Sequence, residues 1–301
     1  MSKESEQSTS KQIPVISEGM TMGVVGAGVM GRGIAATFAR AGFEIALVSR
    51  DPHRIAEVAA GVRVVADLPT APEPDLVIES IPERLDLKLA LFRRLDALYG
   101  GRAILASNTS GLPLPEIARA TTHPGRVVGL HYFQPAEAFE FVELAEVIDT
   151  EPEVIERMVE ALRRTGKQAL HVKKPTVGLL INRLQHAMAH EAYRLIDDGV
   201  ADAATIDLVL KRMLGPRMAV TGLCEQKDWA GVVMHADAQR AIVPHLYHDG
   251  IPGRCCQELA AAGHDGVKTG RGFYDWRGKD VAALRRENAD KLARILAIAS
   301  E

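Results

Sequence analysis

Cysteine is scarce: the 301-residue chain carries only Cys224, Cys255 and Cys256. The number is odd and two of them are adjacent, so no disulfide framework is implied. Reduced thiols in a cytoplasmic protein are the expectation. Charge of one sign is also missing, since 36 Lys and Arg stand against 39 Asp and Glu, a net −3. So small an imbalance gives no field that would gather nucleic acid or a membrane surface. No apolar run approaches the roughly 20 residues that cross a bilayer. The opening MSKESEQSTSKQIPVISEG has no apolar core and does not read as a secretory signal. Residues 1–18 read as a disordered tail. Internal repeats and low-complexity stretches are absent beyond that tail.

What is present is the balance of a soluble globular protein, 47% hydrophobic and 25% charged, with length enough for two domains. Short apolar runs read as strands at Met20–Val25, Glu44–Val48, Val62–Val65, Leu76–Glu79, Ala103–Ala106, Val127–His131 and Phe139–Leu144. Helical spacing occupies Met30–Arg40, Leu85–Leu98 and Pro152–Thr165. A further short helix is expected over Pro52–Ala60, capped by Asp51. One last strand falls at Ala169–Val172. The remainder reads as helices over Thr176–Asp197, Asp202–Met213, Gly222–Tyr247 and Lys279–Ala299. The fold class is therefore α/β: a Rossmann-type doubly wound sheet over residues 19–173, then an all-helical C-terminal domain over residues 174–301.

Gly26-x-Gly28-x-x-Gly31 follows a strand and opens a helix, the context a dinucleotide fingerprint needs. Gly26 permits the tight turn, Gly28 lets backbone approach a pyrophosphate, and Gly31 lets helix and strand pack closely. Val29 and Met30 begin the helix whose positive end faces the phosphates. The second strand ends in Ser49-Arg50, where NAD-specific sites usually carry an acid for the ribose 2′-hydroxyl. Arg50, with Arg54 one turn on, suits a 2′-phosphate, so NADP(H) is expected in preference to NAD(H). The alternative is a solvated Arg50 beside a site that takes NAD, with Asp51 serving the ribose. Glu83 and Lys88 follow another strand end and read equally as ligand contacts or as a surface ion pair. His131 and Glu143 fall on neighbouring strands. A histidine titrating near neutrality takes or gives the proton that hydride transfer at an alcohol carbon requires, and a carboxylate fixes its tautomer.

Taken together, GAGVMGRGIA, ESIPERLDLK, ASNTSGLPL, RVVGLHYFQP, FVELAEV, VGLLINRL and GVKTGRGFYDW resemble the 3-hydroxyacyl-CoA dehydrogenase family, from about Met22 to Trp276. The resemblance implies an oxidoreductase that interconverts a 3-hydroxyacyl compound and its 3-oxo form. It implies a small-molecule substrate and a homodimer formed through the helical domain. By the same resemblance His131 is the catalytic histidine and Glu143 its partner. Ser107 and Asn182 contact substrate, and Glu83, Lys88 and Asn108 contact the cofactor.

Departures from the family pattern bear on the substrate. The HFFNP motif reads His131-Tyr132-Phe133-Gln134-Pro135, so Gln134 adds a methylene to the pocket wall. The long helical hairpin that carries coenzyme A contacts is replaced by Asp51–Gly61 alone. A CoA ester and a smaller non-CoA compound therefore both remain open, as do a ketone or imine on the same scaffold and a cofactor-binding protein without catalysis. The complete set of Ser107, His131, Glu143 and Asn182 argues against the last. Asn182, His186 and His190 share one helix face. With no third ligand and no HExxH, no metal is expected there. His186 is instead a candidate for polar lining of the substrate pocket or for an inter-helix contact.

Overall fold

In the computed structural model, residues 20–56, 58–68, 72–147 and 149–299 are described. The tail expected over residues 1–18 lies outside them. The chain divides into two compact units, Met1–Arg183 and Leu184–Glu301.

The first unit is built on an eight-stranded sheet in the order β3-β2-β1-β4-β5-β6-β7-β8. Its strands are β1 (Thr21–Val25), β2 (Glu44–Val48), β3 (Val62–Val65), β4 (Leu76–Glu79), β5 (Ile104–Ser107), β6 (Val127–His131), β7 (Phe141–Ala145) and β8 (Gln168–Val172). Four helices flank it: α1 (Val29–Arg40), α2 (Leu85–Tyr99), α3 (Leu114–Arg119) and α4 (Pro152–Arg164). Alternation along the strands sorts side chains to two faces. In β4, Leu76 and Ile78 join the core under α1 and α4, where Ile34, Phe38, Met158 and Leu162 are buried. Val77 points the other way, into the core with Phe92 and Leu95 of α2 and Ile117 of α3. A sheet covered on both faces is why these strands read as unbroken apolar runs.

All strand pairs are parallel except β6 with β7, which run antiparallel with His131 directly opposite Glu143. That one reversal places an imidazole and a carboxylate as cross-strand neighbours at the carboxyl end of the sheet.

The second unit is helical. It contains the body of α5 (Ile181–Asp197), then α6 (Ala203–Val209), α7 (Gly215–Thr221), α8 (Glu225–Ala230), α9 (Val232–Ile242), α10 (Arg254–Ala261) and α11 (Val281–Ala299). No described helix is long and apolar enough to cross a membrane.

Several boundaries differ from expectation for identifiable reasons. The helix expected over Pro52–Ala60 is a single 3-10 turn, Pro52–Arg54. Asp51 caps nothing; its carboxylate pairs instead with the Arg54 Nε at 2.9 Å. The helix expected from Thr176 begins only at Ile181, because Gly178 and Leu179 hold positive φ values of 81° and 46°. The expected Gly222–Tyr247 helix breaks at Gly231, φ 98°, into α8 and α9. The expected Asp202–Met213 helix ends at Val209 and passes into a π-helical stretch, Leu210–Leu214. Helices α3, α7 and α10 have no counterpart among the sequence expectations; each is short, at six, seven and eight residues.

Candidate active site

The carboxyl ends of the first unit's strands open onto a cavity of about 1410 Å³. Parallel α/β sheets hold ligands at this edge. The cavity runs from the Gly26–Met30 turn past Ser49–Asp51 and Asn108 to His131 and Asn182.

One end is shaped for a pyrophosphate. Gly26 has φ 113°, and a Cβ there would lie 2.4 Å from the Ser80 carbonyl oxygen. A Cβ on Gly31 would lie 1.8 Å from the Gly26 oxygen, so α1 can sit this close to β1 only with glycine at that position. A Cβ on Gly28 would meet nothing within 4 Å, which is the open face a ligand would approach. Gly28 caps α1 without a side-chain hydrogen bond, and no acid stands in the first turn. The leading N–H groups of α1 are thus left to an anion, and this cradle fits a dinucleotide.

Beyond the cradle, Ser49, Arg50 and Arg54 all line the cavity. The Ser49 Oγ accepts from the Asp51 N–H at 3.2 Å. Arg54 is paired with Asp51, whereas Arg50 is exposed and makes no ion pair among the described residues. The sequence reading missed Arg94 and Asp67, which line the same end and pair with each other. The Arg94 guanidinium, hydrogen bonded to it, holds the Asp67 carboxyl below its ordinary range. Leu87, Leu91 and Arg94 stand at i, i+4 and i+7 on α2, opposite buried Phe92 and Leu95. That spacing was the available signal.

At the other end the His131 Nδ1 lies 2.7 Å from the Glu143 Oε2, and both side chains are buried. The second oxygen, Oε1, accepts from the N–H groups of Leu180 and Ile181, each at 2.8 Å. Burial opposes ionisation of Glu143, but the hydrogen bonds from His131, Ile181 and Leu180 prevail and hold its carboxyl below the ordinary value. An ionised carboxylate only accepts, so Nδ1 carries the imidazole proton and Nε2 is the basic nitrogen. His131 lines the cavity, with the Phe133 ring edge-on at 4.8 Å and Gln134 beyond it. Asn108 accepts from the Tyr132 N–H at 2.9 Å and donates to the Ser80 Oγ at 3.3 Å, tying three strand ends together.

The expected residues divide into those that reach the cavity and those that do not. Asn182 reaches it and donates through Nδ2 to the Ser110 carbonyl at 2.9 Å. Ser107 does not: it is fully buried at the end of β5, and its Oγ donates to the Glu79 Oε2 at 2.6 Å. The serine of this segment that lines the cavity is Ser110, three residues on. The sequence signal was positional, since ligands meet the loop beyond a strand rather than the strand's last residue.

Glu83 and Lys88 do not line the cavity either. The Lys88 Nζ is buried between the two oxygens of Glu79, at 2.8 and 2.9 Å, and the Glu83 Oε2, at 2.9 Å. The Glu83 Oε1 accepts from the Thr109 Oγ1 at 2.5 Å and from the N–H groups of Ser110 and Gly111 at 2.9 and 3.1 Å. Burial works against the charge on Glu83, but Thr109, Lys88 and Ser110 overcome it and bring its pKa from 4.5 down to about 2. His186 lies in the second unit, exposed on α5.

Comparison with known proteins follows the same division of the chain. The family model of the 3-hydroxyacyl-CoA dehydrogenase NAD binding domain matches residues 21–63 and 51–175, and that of the C-terminal domain matches residues 178–276. The 3-hydroxybutyryl-CoA dehydrogenase of Bradyrhizobium diazoefficiens is 33% identical over 295 residues, which cover 88% of this chain and 98% of that protein. The 5-formyl-3-hydroxy-2-methylpyridine 4-carboxylate 5-dehydrogenase of Mesorhizobium japonicum is 29% identical over 295 residues, covering 90% and 96%. A crystal structure of a dehydrogenase of that formylpyridine compound, an NAD+ dependent dismutase, superposes with a TM-score of 0.86 at 26% identity, covering 94% of this chain and 99% of that one. The 3-hydroxyacyl-CoA dehydrogenase of Archaeoglobus fulgidus superposes with a TM-score of 0.68 at 28% identity, covering 93% and 99%.

The depressed Glu83 carboxyl has a consequence for acid stability. A folded pKa of about 2 against an ordinary 4.5 means that its stabilisation is complete above pH 4.5 and is lost as pH falls toward 2. The melting temperature of Glu83→Gln should lie below that of the wild type at pH 6, and the gap should close on acidification from pH 5 to about 2.5. Thermal scans across that range check it; a gap that widens in acid refutes the assignment.

Proposed function

The chain belongs to the 3-hydroxyacyl-CoA dehydrogenase family, oxidoreductases acting on a CH–OH group, and on that premise we propose that His131 is its general base and acid. The observation that carries this is the 2.7 Å contact between the His131 Nδ1 and the Glu143 Oε2, on the cavity that begins at the glycine turn. When bound, the nicotinamide cofactor supplies the hydride acceptor or donor. In oxidation the His131 Nε2 takes the hydroxyl proton of the substrate, and in reduction it returns one. Glu143 holds the Nδ1 proton in place and stabilises the imidazolium that forms. The second N–H of Asn182 donates to the substrate oxygen as its charge develops, and the Ser110 hydroxyl on the same wall joins it by turning from the Glu83 Oε1, to which it donates at 3.3 Å in this structure. Ser110 takes the role expected of Ser107, whose hydroxyl is committed to Glu79.

For the cofactor we propose NADP(H) in preference to NAD(H). The support is Arg50, a guanidinium exposed at the end of β2 without an ion partner among the described residues. Arg54 and Arg94 add cations to that end, each offset by its own carboxylate. A homodimer through the second unit is supported by its large exposed apolar side chains: Val220 and Val233 are each 80% exposed and Trp229 is 79% exposed. Three free cysteines suit the cytoplasm.

The substrate is a 3-hydroxy compound interconverted with its 3-oxo form. A second reading, a compact substrate without coenzyme A, is favoured by one observation. Among the described residues between β2 and β3 the chain makes a single 3-10 turn, and no helical hairpin stands among them to carry lysines toward CoA phosphates. The relative acting on a small pyridine carboxylate fits this reading.

Three measurements test these assignments. His131→Ala should lower kcat/KM by roughly 10²–10⁴-fold, while nucleotide affinity, read by fluorescence titration, stays near that of the wild type; undiminished turnover removes His131 from the chemistry. Arg50→Asp should weaken NADPH binding at least tenfold more than NADH binding, and equal losses would end the NADP(H) proposal. A panel of free hydroxy acids and CoA esters, run with both nucleotides, should give higher kcat/KM on the free acids if the compact reading holds, and the reverse ranking returns the substrate to a CoA ester.

A further inference from the structure

We propose that Lys167 is a positioning residue for the substrate side of the pocket, acting through the connection between β6 and β7 that carries Phe133 and Gln134. This rests on the dehydrogenase reading above and deepens it.

β6 ends at His131 and β7 begins at Phe141, so residues 132–140 reverse the chain between the two strands that bear the imidazole and its carboxylate. Tyr132, Phe133 and Gln134 of this connection line the cavity. Past Gln134 it forms neither helix nor strand, so its carbonyls need partners from outside the regular ladders. Lys167, one residue before β8, supplies them: its Nζ donates to the carbonyls of Glu137 at 3.0 Å and Phe139 at 2.5 Å. The residue is only 7% exposed. A lysine is seldom buried to that degree unless its ammonium is partnered. Burial pulls its pKa below the ordinary range, against the pull of the Glu137 carboxylate, so the two carbonyls are what keep a charge at this depth.

The two bonds land where they govern the pocket wall. The Phe139 ring meets Phe133 edge-on with centroids 6.0 Å apart, and Phe133 meets His131 in the same way at 4.8 Å. On the side of α1 the connection rests against Gly33, where a Cβ would lie 3.0 Å from the Ala136 Cβ and 3.2 Å from the Glu137 Oε2. At its far end the Glu140 carbonyl accepts from the Gln168 N–H at 2.8 Å. Lys167 spans the stretch between these two supports, and its bonds from an ionised donor are the stronger kind. The proposed base is held by other means: His131 by Glu143, and Glu143 by the N–H groups of Leu180 and Ile181. Loss of the ammonium therefore frees Phe133 and Gln134 and leaves the base and the glycine cradle as they are. Misplacing a pocket wall by about 1 Å costs alignment up to roughly 10²-fold.

The test is Lys167→Met, which keeps the length and removes the ammonium. Lys167→Arg keeps the charge, and the hollow of about 360 Å³ that Lys167 borders gives the larger group room. Lys167→Gln, a shorter donor, takes the place of Lys167→Met if that variant does not fold. On the intact chain, kcat and substrate KM are measured against pH at saturating nucleotide on the best substrate of the panel. Nucleotide dissociation constants come from fluorescence titration, and amide hydrogen exchange is followed over residues 133–140. We expect Lys167→Met, or Lys167→Gln in its place, to exchange faster over that segment and to raise substrate KM roughly tenfold. Nucleotide affinity and the pH midpoint of kcat, which reports His131, should stay those of the wild type, and Lys167→Arg should recover part of the KM. A folded variant with wild-type KM or wild-type exchange overturns the proposal, even where its melting temperature has dropped. A roughly tenfold loss of nucleotide affinity, or a displaced pH midpoint, overturns it as well, because Lys167 would then act on the cradle or the base. A wild-type chain that binds nucleotide yet turns over nothing in the panel fails the dehydrogenase reading instead, and the exchange arm still decides whether Lys167 holds the connection.

Discussion

Glu143 divides its two oxygens between different tasks, and the site depends on both. One oxygen takes the Nδ1 proton of His131; the other takes two N–H groups at the start of α5. A carboxylate buried without such partners would take up a proton and stop directing the imidazole. The backbone of α5 thus keeps Glu143 ionised, and Glu143 in turn decides which nitrogen of His131 is free. The antiparallel register of β6 with β7 makes the first bond possible by setting the two residues directly opposite each other. The positive φ of Gly178 and Leu179 makes the second possible by delaying the helix until Ile181. Had α5 started at Thr176, those N–H groups would lie inside the helix and bond to carbonyls.

Glu83 and Glu79 repeat the solution with a different counter-charge. There the Lys88 ammonium faces both carboxylates, with the Thr109 hydroxyl and the Ser110 N–H on Glu83 and the Ser107 hydroxyl on Glu79. Buried ion pairs of this kind contribute little net stability compared with apolar packing. Their value lies in geometry, since a charged oxygen with several donors permits few arrangements of the turn around it. Loops that carry chemistry are otherwise the least constrained parts of a fold.

Much of this was legible in the sequence because the relevant physics is local. Glycines at Gly26, Gly28 and Gly31 between a strand and a helix are required by backbone clearance, and the clearances at Gly26 and Gly31 bear that out. Strands buried on both faces announce themselves as apolar runs. What escaped was non-local. Whether Asp51 caps a helix or pairs with Arg54 is a contest between two short-range options that composition does not decide. Whether Ser107 or Ser110 meets a ligand depends on where β5 stops, and a strand end cannot be read to the residue from propensity. Lys88 reads as a ligand contact or a surface charge until β4 brings Glu79 within 2.8 Å of it. Arg94 and Asp67 lie 27 residues apart, and nothing in either neighbourhood names the other.

Helix α5 turns its positive end inward, onto Glu143, and so has none to offer a ligand. The arginines lining the first unit's cavity, Arg50, Arg54 and Arg94, all stand by the end of β2 and on α2, away from His131. Asp51 and Asp67 offset Arg54 and Arg94, so the unbalanced charge at that end is Arg50, and the cavity is electrically lopsided by that one guanidinium. A long anionic ligand would be drawn in with its anionic end toward Arg50, which leaves its other end to come to rest beside the imidazole. The same lopsidedness orients the ligand before any contact forms, so alignment for the reaction begins in solution.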